Sequence, residues 1–354
     1  MWFVCLSVVG CSASKEDPLL MALADVSGAE CAGTPVVAHP LQDSTATTVT
    51  PHEGLLYVTG IDLSTEADVF QIFDASDLDG IRLRGEVEFG VDTIDHHVAV
   101  QGSVAAVLYN ELDETQLAVF DVANPGRPTL LSQLSLGDPS EEVHGLWVGT
   151  QLLLSVGDID MVDLSDPRQP VPHTWDGFAV GRAMMVDDEL VTTEGAAGLA
   201  SYEPPDGDEP PTLIAESPAF AFRAEHGLAA SSRGVLAAGF VREDANAAAL
   251  VQPGPASWEV TETLTLPWPE VGHLHDSVDH DGSLALLYAT DERDSGVLLL
   301  DAEEGLEVAG GWRPKDALLH TDVASDGDLT WVSVITIAPP YFNGLVALDW
   351  SACR

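Results

Sequence analysis

The chain has 354 residues, 45% of them hydrophobic, with 58 acidic against 13 basic side chains and a formal charge of −45 at neutral pH. The apolar share is enough for a packed core and excludes a disordered acidic tail, while the charge excludes nucleic acid and anionic lipid surfaces, both of which are bound through Lys and Arg. The acid forms a solvated coat serving solubility or salt tolerance, or part of it gathers divalent cations, although no D-x-[DN]-x-[DN]-G loop with a trailing Glu is present.

The chain opens on MWFVCLSVVGCSASKEDP, apolar for ten residues and abruptly polar after Cys11. Ten residues cannot span a bilayer. VVGC (Val8 to Cys11) resembles a bacterial lipobox, in which the cysteine is acylated and becomes the mature N-terminus. The resemblance implies a signal peptide at 1–10, a lipid on Cys11, and export to the cell envelope, at the outer membrane or cell surface, with the membrane touched only through that lipid. The run lacks a Lys/Arg-rich leader, which places the true translation start upstream; an ordinary secretory signal is the other reading. Residues 11–30 show no amphipathic pattern and read as a flexible tether. With Cys5 removed and Cys11 acylated, Cys31 and Cys353 remain, an even pair that in an exported protein reads as a disulfide.

From residue 31 onward an apolar run ending in an acid and a turn keeps returning. It stands as FQIFDASDLDG (Asp74), LAVFDVANPGRP (Asp121), IDMVDLSDPRQP (Asp163), LASYEPPDGDEPP (Glu203), AALVQPGPAS (Gln252), VLLLDAEEG (Asp301) and LVALDWSAC (Asp349), successive copies lying 40 to 49 residues apart. That period is the length of a four-stranded propeller blade. A second apolar run precedes each copy (LLYVTG, VAAVLYN, LLLSVG, ELVTTEG, VLAAGF, LALLYAT, LTWVSVITI). A shorter strand and tight turn come before that, clearest at 97–103 and 320–327, and a strand such as PTLLSQLSL or WEVTETLTL follows. Four strands per unit, lettered a to d from the axis outward, predict an all-β, seven-bladed β-propeller over 31–354, monomeric, with four antiparallel strands in each blade. The Asp after strand c should accept from the following turn, and the Pro should stop the strand.

These units resemble the LVIVD repeat family of bacterial and archaeal surface proteins, closely at 117–128 and 159–170, fairly at 70–80, 297–301 and 345–349, and loosely in units four and five. The resemblance implies a propeller on the cell surface and no single activity. Unit seven stops after strand c. The segment CAGTPVVAHP at 31–40 reads as its missing strand d, GTPVV matching GRPTLL, so the ring should close there with Cys31 and Cys353 at the seam.

Candidate chemistry gathers where the inner strands begin. His96 (with His97 beside it), His144, Arg182, His226, His275 and His320 fall at the start of strand a in units two to seven, at what the repeat spacing presents as one equivalent position. The adjoining loops bring Asp95, Glu142, Phe222, Arg223, Glu225, Trp268, His273 and Asp276 to the same side, a funnel of convergent polar groups with aromatic walls. Each histidine either ties its own blade together or joins others around one transition metal ion, zinc or copper, on the side of His275 and His320 away from the charge of Arg182. Copper propellers such as the nitrous oxide reductases and the methanethiol oxidases are similar in arrangement, although their motifs are not present. No G-x-S-x-G, H-E-x-x-H, Gly-rich phosphate loop or C-x-x-C occurs. The sequence therefore predicts a scaffold that binds a protein or small-molecule ligand at the histidine-bearing face, with a metal-dependent enzyme on the same face as the alternative.

Overall fold

The computed structural model describes residues 31–353 apart from 42, 92, 112, 140–142, 157–158, 176–180, 195–196, 242–244, 255–256, 267–271, 281, 291–294, 313–317, 328 and 337–342. The expected signal peptide, Cys11 and the expected tether lie outside the described residues.

Strands β3 (Thr48–His52), β4 (Leu55–Ile61), β5 (Ala67–Asp74) and β6 (Arg82–Val91) make blade 1, and β7 (Ile94–Gln101), β8 (Val104–Glu111), β9 (Glu114–Asp121) and β10 (Thr129–Gly137) blade 2. Blade 3 holds β11 (Gly145–Val148), β12 (Gln151–Val156), β13 (Ile159–Asp163) and β14 (Val171–His173), and blade 4 holds β15 (Ala183–Val186), β16 (Glu189–Thr193), β17 (Leu199–Glu203) and β18 (Thr212–Glu216). Blade 5 comprises β19 (Arg223–Ser231), β20 (Gly234–Val241), β21 (Ala245–Pro253) and β22 (Trp258–Thr265), and blade 6 comprises β23 (Gly272–His280), β24 (Ser283–Thr290), β25 (Ser295–Asp301) and β26 (Glu307–Trp312). Blade 7 takes β27 (Leu318–Asp326), β28 (Leu329–Thr336) and β29 (Asn343–Asp349) from the C-terminal end and β2 (Thr34–Pro40) from the N-terminal end.

The predicted seven-bladed propeller is therefore the fold. The core is a set of layers between blades, one hydrophobic cluster at each of the seven junctions, from Tyr57, Phe70 and Phe120 between blades 1 and 2 to Trp331, Leu345 and Val58 between blades 7 and 1. A middle strand packs on both faces, so β8 and β9 are buried at every residue but the first and last, and each carries a continuous apolar run, VAAVLY in β8 and LAVF in β9. The outer strand β22 has one face in water and alternates strictly.

The repeat acid acts as expected. Asp121 Oδ1 accepts from the Ala123 N–H at 3.0 Å, Asp163 Oδ1 from Ser165 at 2.8 Å, and Asp349 Oδ1 from Ser351 at 2.7 Å. In Asp74 the Ser76 hydroxyl, the Arg82 guanidinium and the Ser76 N–H together hold the carboxyl down to about 2. An unforeseen second device follows it. In six of the seven blades the outer strand bulges at the same register, one pair beyond the residue opposite the repeat position, at Arg84, Leu131, Ile214, Thr261, Ala309 and Val36. A bulge twists an edge strand away from chance pairing with another sheet.

Ring closure follows the sequence reading with one addition. β2 pairs antiparallel with β29 from Thr34 opposite Asp349 to Pro40 opposite Gly344, and Cys31 is bonded to Cys353 with their Cα atoms 5.4 Å apart. The addition is β1 (Cys31–Ala32), which pairs in parallel with β26 and makes a fifth strand on blade 6. The N-terminal segment thus clasps both blades at the seam.

With 58 acids and 13 bases most carboxylates have no cation to pair with, so the coat repels itself. Raising salt from 0.01 M to 1 M shortens the Debye length from about 30 Å to about 3 Å, and the melting temperature should climb with it. A flat or falling curve in calorimetry across that range would show that the coat is compensated locally.

Candidate functional site

Register decides what the channel mouth holds. The last residue of each inner strand paired across the a–b turn is His52, Gln101, Val148, Val186, Ser231, His280 or Asp326 in blades 1 to 7. Counting back five from these gives His96, His226 and His275; counting back four gives His97, His144, Arg182, Asp276 and Asp322; counting back six gives His320. The five histidines therefore do not share one position, as the repeat spacing suggested, but fall on three successive ones. The cause is a β-bulge at the start of the inner strand in blades 2, 5, 6 and 7, at the histidines themselves, which breaks the count from the loop side.

One step of register reverses the direction of a strand side chain. Side chains an even number of residues back reach the following blade. Asp322 Oδ2 accepts from Val49 N–H at 2.8 Å, the Thr50 hydroxyl donates to Val98 carbonyl at 2.7 Å, and His97 Nε2 lies 3.2 Å from Gly145 carbonyl oxygen. Those an odd number back reach the preceding blade: Asp279 Oδ2 accepts from Ala230 N–H at 2.8 Å, and His96 Nδ1 meets Thr59 Oγ1 at 2.9 Å. An inner strand is a sheet edge whose axial backbone groups have no ladder partner, and polar side chains from the neighbouring blade satisfy them. Much of the polarity at the mouth is therefore a set of clasps between blades.

His96 belongs to this structural class. Its ring nitrogens are held by the hydroxyls of Thr93 and Thr59, Thr59 is in turn 3.0 Å from Thr48 Oγ1, and Phe89 and Tyr109 meet the ring edge-on. Burial pushes its pKa down to about 4, so it is neutral at physiological pH. Phe222, expected in the funnel wall, is buried and stacks on Phe220 with ring centroids 4.9 Å apart. A further histidine that sequence reasoning passed over, His280, is fully buried at the far end of β23, where Nδ1 lies 3.0 Å from Ser325 Oγ and 3.2 Å from Thr330 Oγ1. Only its place beside the a–b turn could have signalled it.

His97, His144 and Arg182 remain half-buried on successive blades at one register position, with the His97 and His144 rings 5.2 Å apart and 77° between planes. The Arg182 N–H donates to Thr193 Oγ1 at 2.9 Å, and Arg223 is exposed at the start of β19. β11 and β15 are the inner strands of blades 3 and 4. Both are four residues long and half-buried throughout, and Leu146, Val148, Ala183 and Met185 pack against Leu153, Met161 and Leu190. Glu225, His226, His273, His275, Asp276 and His320 stand in β19, β23 and β27 with side chains outside the described residues, and Trp268, like Glu142, lies outside them altogether. Among the described residues no group of three or more His, Cys, Asp or Glu is placed to hold a metal ion.

Seven four-stranded blades around an axis, closed by the N-terminal strand, define the chain as a β-propeller scaffold. No family model matches it, and no curated protein matches it in sequence. Among solved structures it is similar to the Cps50 (Swd1) β-propeller domain of Myceliophteria thermophila, at 9% identity and a TM-score of 0.58 over 89% of this chain and 98% of that one. The RRP9 WD40 repeats match at 10% identity and 0.57 over 91% of this chain and 98% of theirs, and the C-terminal WD40 domain of Sif2 at 10% and 0.57 over 90% and 98%. At such identity the likeness is one of fold alone.

Proposed function

We propose that this chain is a surface lipoprotein of the LVIVD-repeat kind that binds a protein or small-molecule ligand at its axial mouth, on the side of blades 2 to 4. The observation that supports this is the row of half-buried polar side chains, His97, His144 and Arg182, at one register position on blades 2 to 4. Convergent polar groups at the mouth of a channel are the form a ligand site takes. In a coat of charge −45, Arg182 marks the place where an acidic group of a ligand is accepted.

In cells making the full chain, a photo-crosslinking residue in place of His144 should capture one partner in the envelope fraction, capture should fall with Arg182→Glu, and the same residue in place of Leu130 on the outer rim should capture none. The protein should carry a palmitate label that Cys11→Ala abolishes. Equal capture from both positions, insensitive to Arg182→Glu, would falsify the mouth as the binding face.

A further inference from the structure

We infer that Ile61, Leu63 and Ile94, where blades 1 and 2 meet on the face that holds the mouth, form a docking surface for a second protein that presents apolar side chains among Lys and Arg. The surface lies beside the mouth and does not depend on what the mouth binds.

Register brings the three residues to one place. Ile61 stands directly opposite Asp68 and two residues beyond Thr59 along β4, so its side chain leaves the sheet on the face that those two use. That face meets blade 2, since Asp68 Oδ2 accepts from Thr93 N–H at 3.1 Å and Thr59 Oγ1 lies 2.9 Å from His96 Nδ1. Ile94 lies in the chain between the two residues so held. Leu63 follows on the turn from β4 to β5, where its N–H donates to the Asp43 carbonyl at 2.8 Å. All three are open to solvent, Ile61 at 37%, Leu63 at 52% and Ile94 at 61%. Among the described residues the other large hydrophobic side chains so exposed stand on outer strands and are spread over five blades, as ordinary surface scatter. A group of them rimmed by acid marks an interaction site instead.

The turn that carries Leu63 is fixed before any partner arrives. Asp62 Oδ1 accepts from the Ser64 N–H at 2.7 Å, the Ser64 hydroxyl at 2.6 Å and the Thr65 N–H at 2.9 Å, and the Glu66 N–H donates to the Asp62 carbonyl at 2.9 Å. An apolar side chain held on such a turn loses little freedom on binding. Charge selects the occupant. Between Lys15 and Arg127 the sequence has no Lys or Arg except Arg82 and Arg84, which begin β6 at the opposite end of blade 1, 3.1 and 3.8 Å from Asp74. Asp43 and Glu66 beside Leu63, and Asp113 on the corresponding turn of blade 2, are exposed. An apolar patch in this field attracts a basic surface, whereas a second copy would bring its own charge of −45 against it.

The test titrates the full chain, at physiological salt, against a short fluorescent peptide made of Leu and Lys, and against the same peptide with every Leu replaced by Ser, following anisotropy. The acidic coat draws both, so the difference between them reads the apolar contact. The leucine peptide should bind roughly tenfold or more tighter than the serine one, and Leu63→Ser with Ile94→Ser should remove most of that advantage while leaving the serine peptide's affinity unchanged. Leu213→Ser with Ile214→Ser, an equally exposed pair on the outer strand of blade 4, should alter neither. Because all four side chains are exposed, an unchanged melting temperature separates lost binding from lost folding. Equal affinity for the two peptides, no loss in the Leu63 and Ile94 variant, or the same loss in the rim variant would overturn the surface. Self-association of the wild type in sedimentation, abolished by Leu63→Ser with Ile94→Ser, would overturn the choice of occupant.

Discussion

Breaking the Cys31–Cys353 bridge, by reduction or by Cys31→Ser with Cys353→Ser, is expected to remove up to about 5 to 6 kcal/mol of unfolding free energy. The bridge spans 322 residues, nearly the whole propeller, so in the unfolded chain it closes one very large loop, and the entropy it removes grows with the logarithm of that length. In the folded protein its direct contribution is local. β1 is tied to β26 through only two residue pairs, whereas β2 keeps its ladder with β29 whether or not the bridge is present. The predicted effect therefore lies mainly in the unfolded state, and a guanidinium titration should show a lower midpoint, with a larger m-value where the freed chain expands. A loss below about 1 kcal/mol would mean that residual structure already holds the ends together and that the β2–β29 ladder carries closure unaided.

The sequence made the scaffold legible at the strands that lie between others. β8, β9 and β25 are packed on both faces, so burial leaves a continuous apolar run in each, and the Asp that ends strand c is needed locally by its own turn. Closure was legible for a similar reason, since unit seven lacked an outer strand and the segment at 31–40 carried the matching pattern. What stayed hidden lies at edges. β1 is two residues long and gives no periodicity to read, and the outer-strand bulges change the partner of each later residue without changing the composition.

The same cause misplaced the candidate site. An inner strand is paired on one side only, so its start can bulge, and four of the seven blades do so at the residues aligned by spacing. A shift of one residue sends a histidine to the opposite neighbour, which is why His96 is locked against blade 1 while His97 reaches blade 3. Recurrence in sequence marked residues that stand at the starts of the inner strands. It could not tell a clasp from a ligand, because both uses need a polar side chain beside the axis.

The second large effect is expected from Trp350, where packing and hydrogen bonding at the seam meet. Its indole is fully buried, Nε1 donates to Thr330 Oγ1 at 2.9 Å, and Thr330 is the hydroxyl that lies beside His280 on blade 6. The ring occupies a slot made by two glycines: a Cβ on Gly33 would meet it at 2.6 Å and one on Gly310 at 3.0 Å. Gly33 joins β1 to β2 and Gly310 lies in β26, so one side chain packs against both arms of the closure. Trp350→Ala should cost about 3 to 5 kcal/mol by emptying this slot. Trp350→Phe keeps most of the volume and should cost about 1 to 3 kcal/mol, chiefly from the Thr330 hydroxyl left without its indole donor. Gly33→Ala alone should destabilise by forcing the new methyl into the indole, yet in a Trp350→Ala background the same methyl enters the cavity. The two changes together should then cost less than the sum of each alone, by more than the roughly 0.5 kcal/mol within which independent sites add. Denaturant unfolding of the four proteins of that cycle decides the matter. Strict additivity would mean that the indole and Gly33 do not share the slot and that β1 is held at the seam by the disulfide and its pairing with β26.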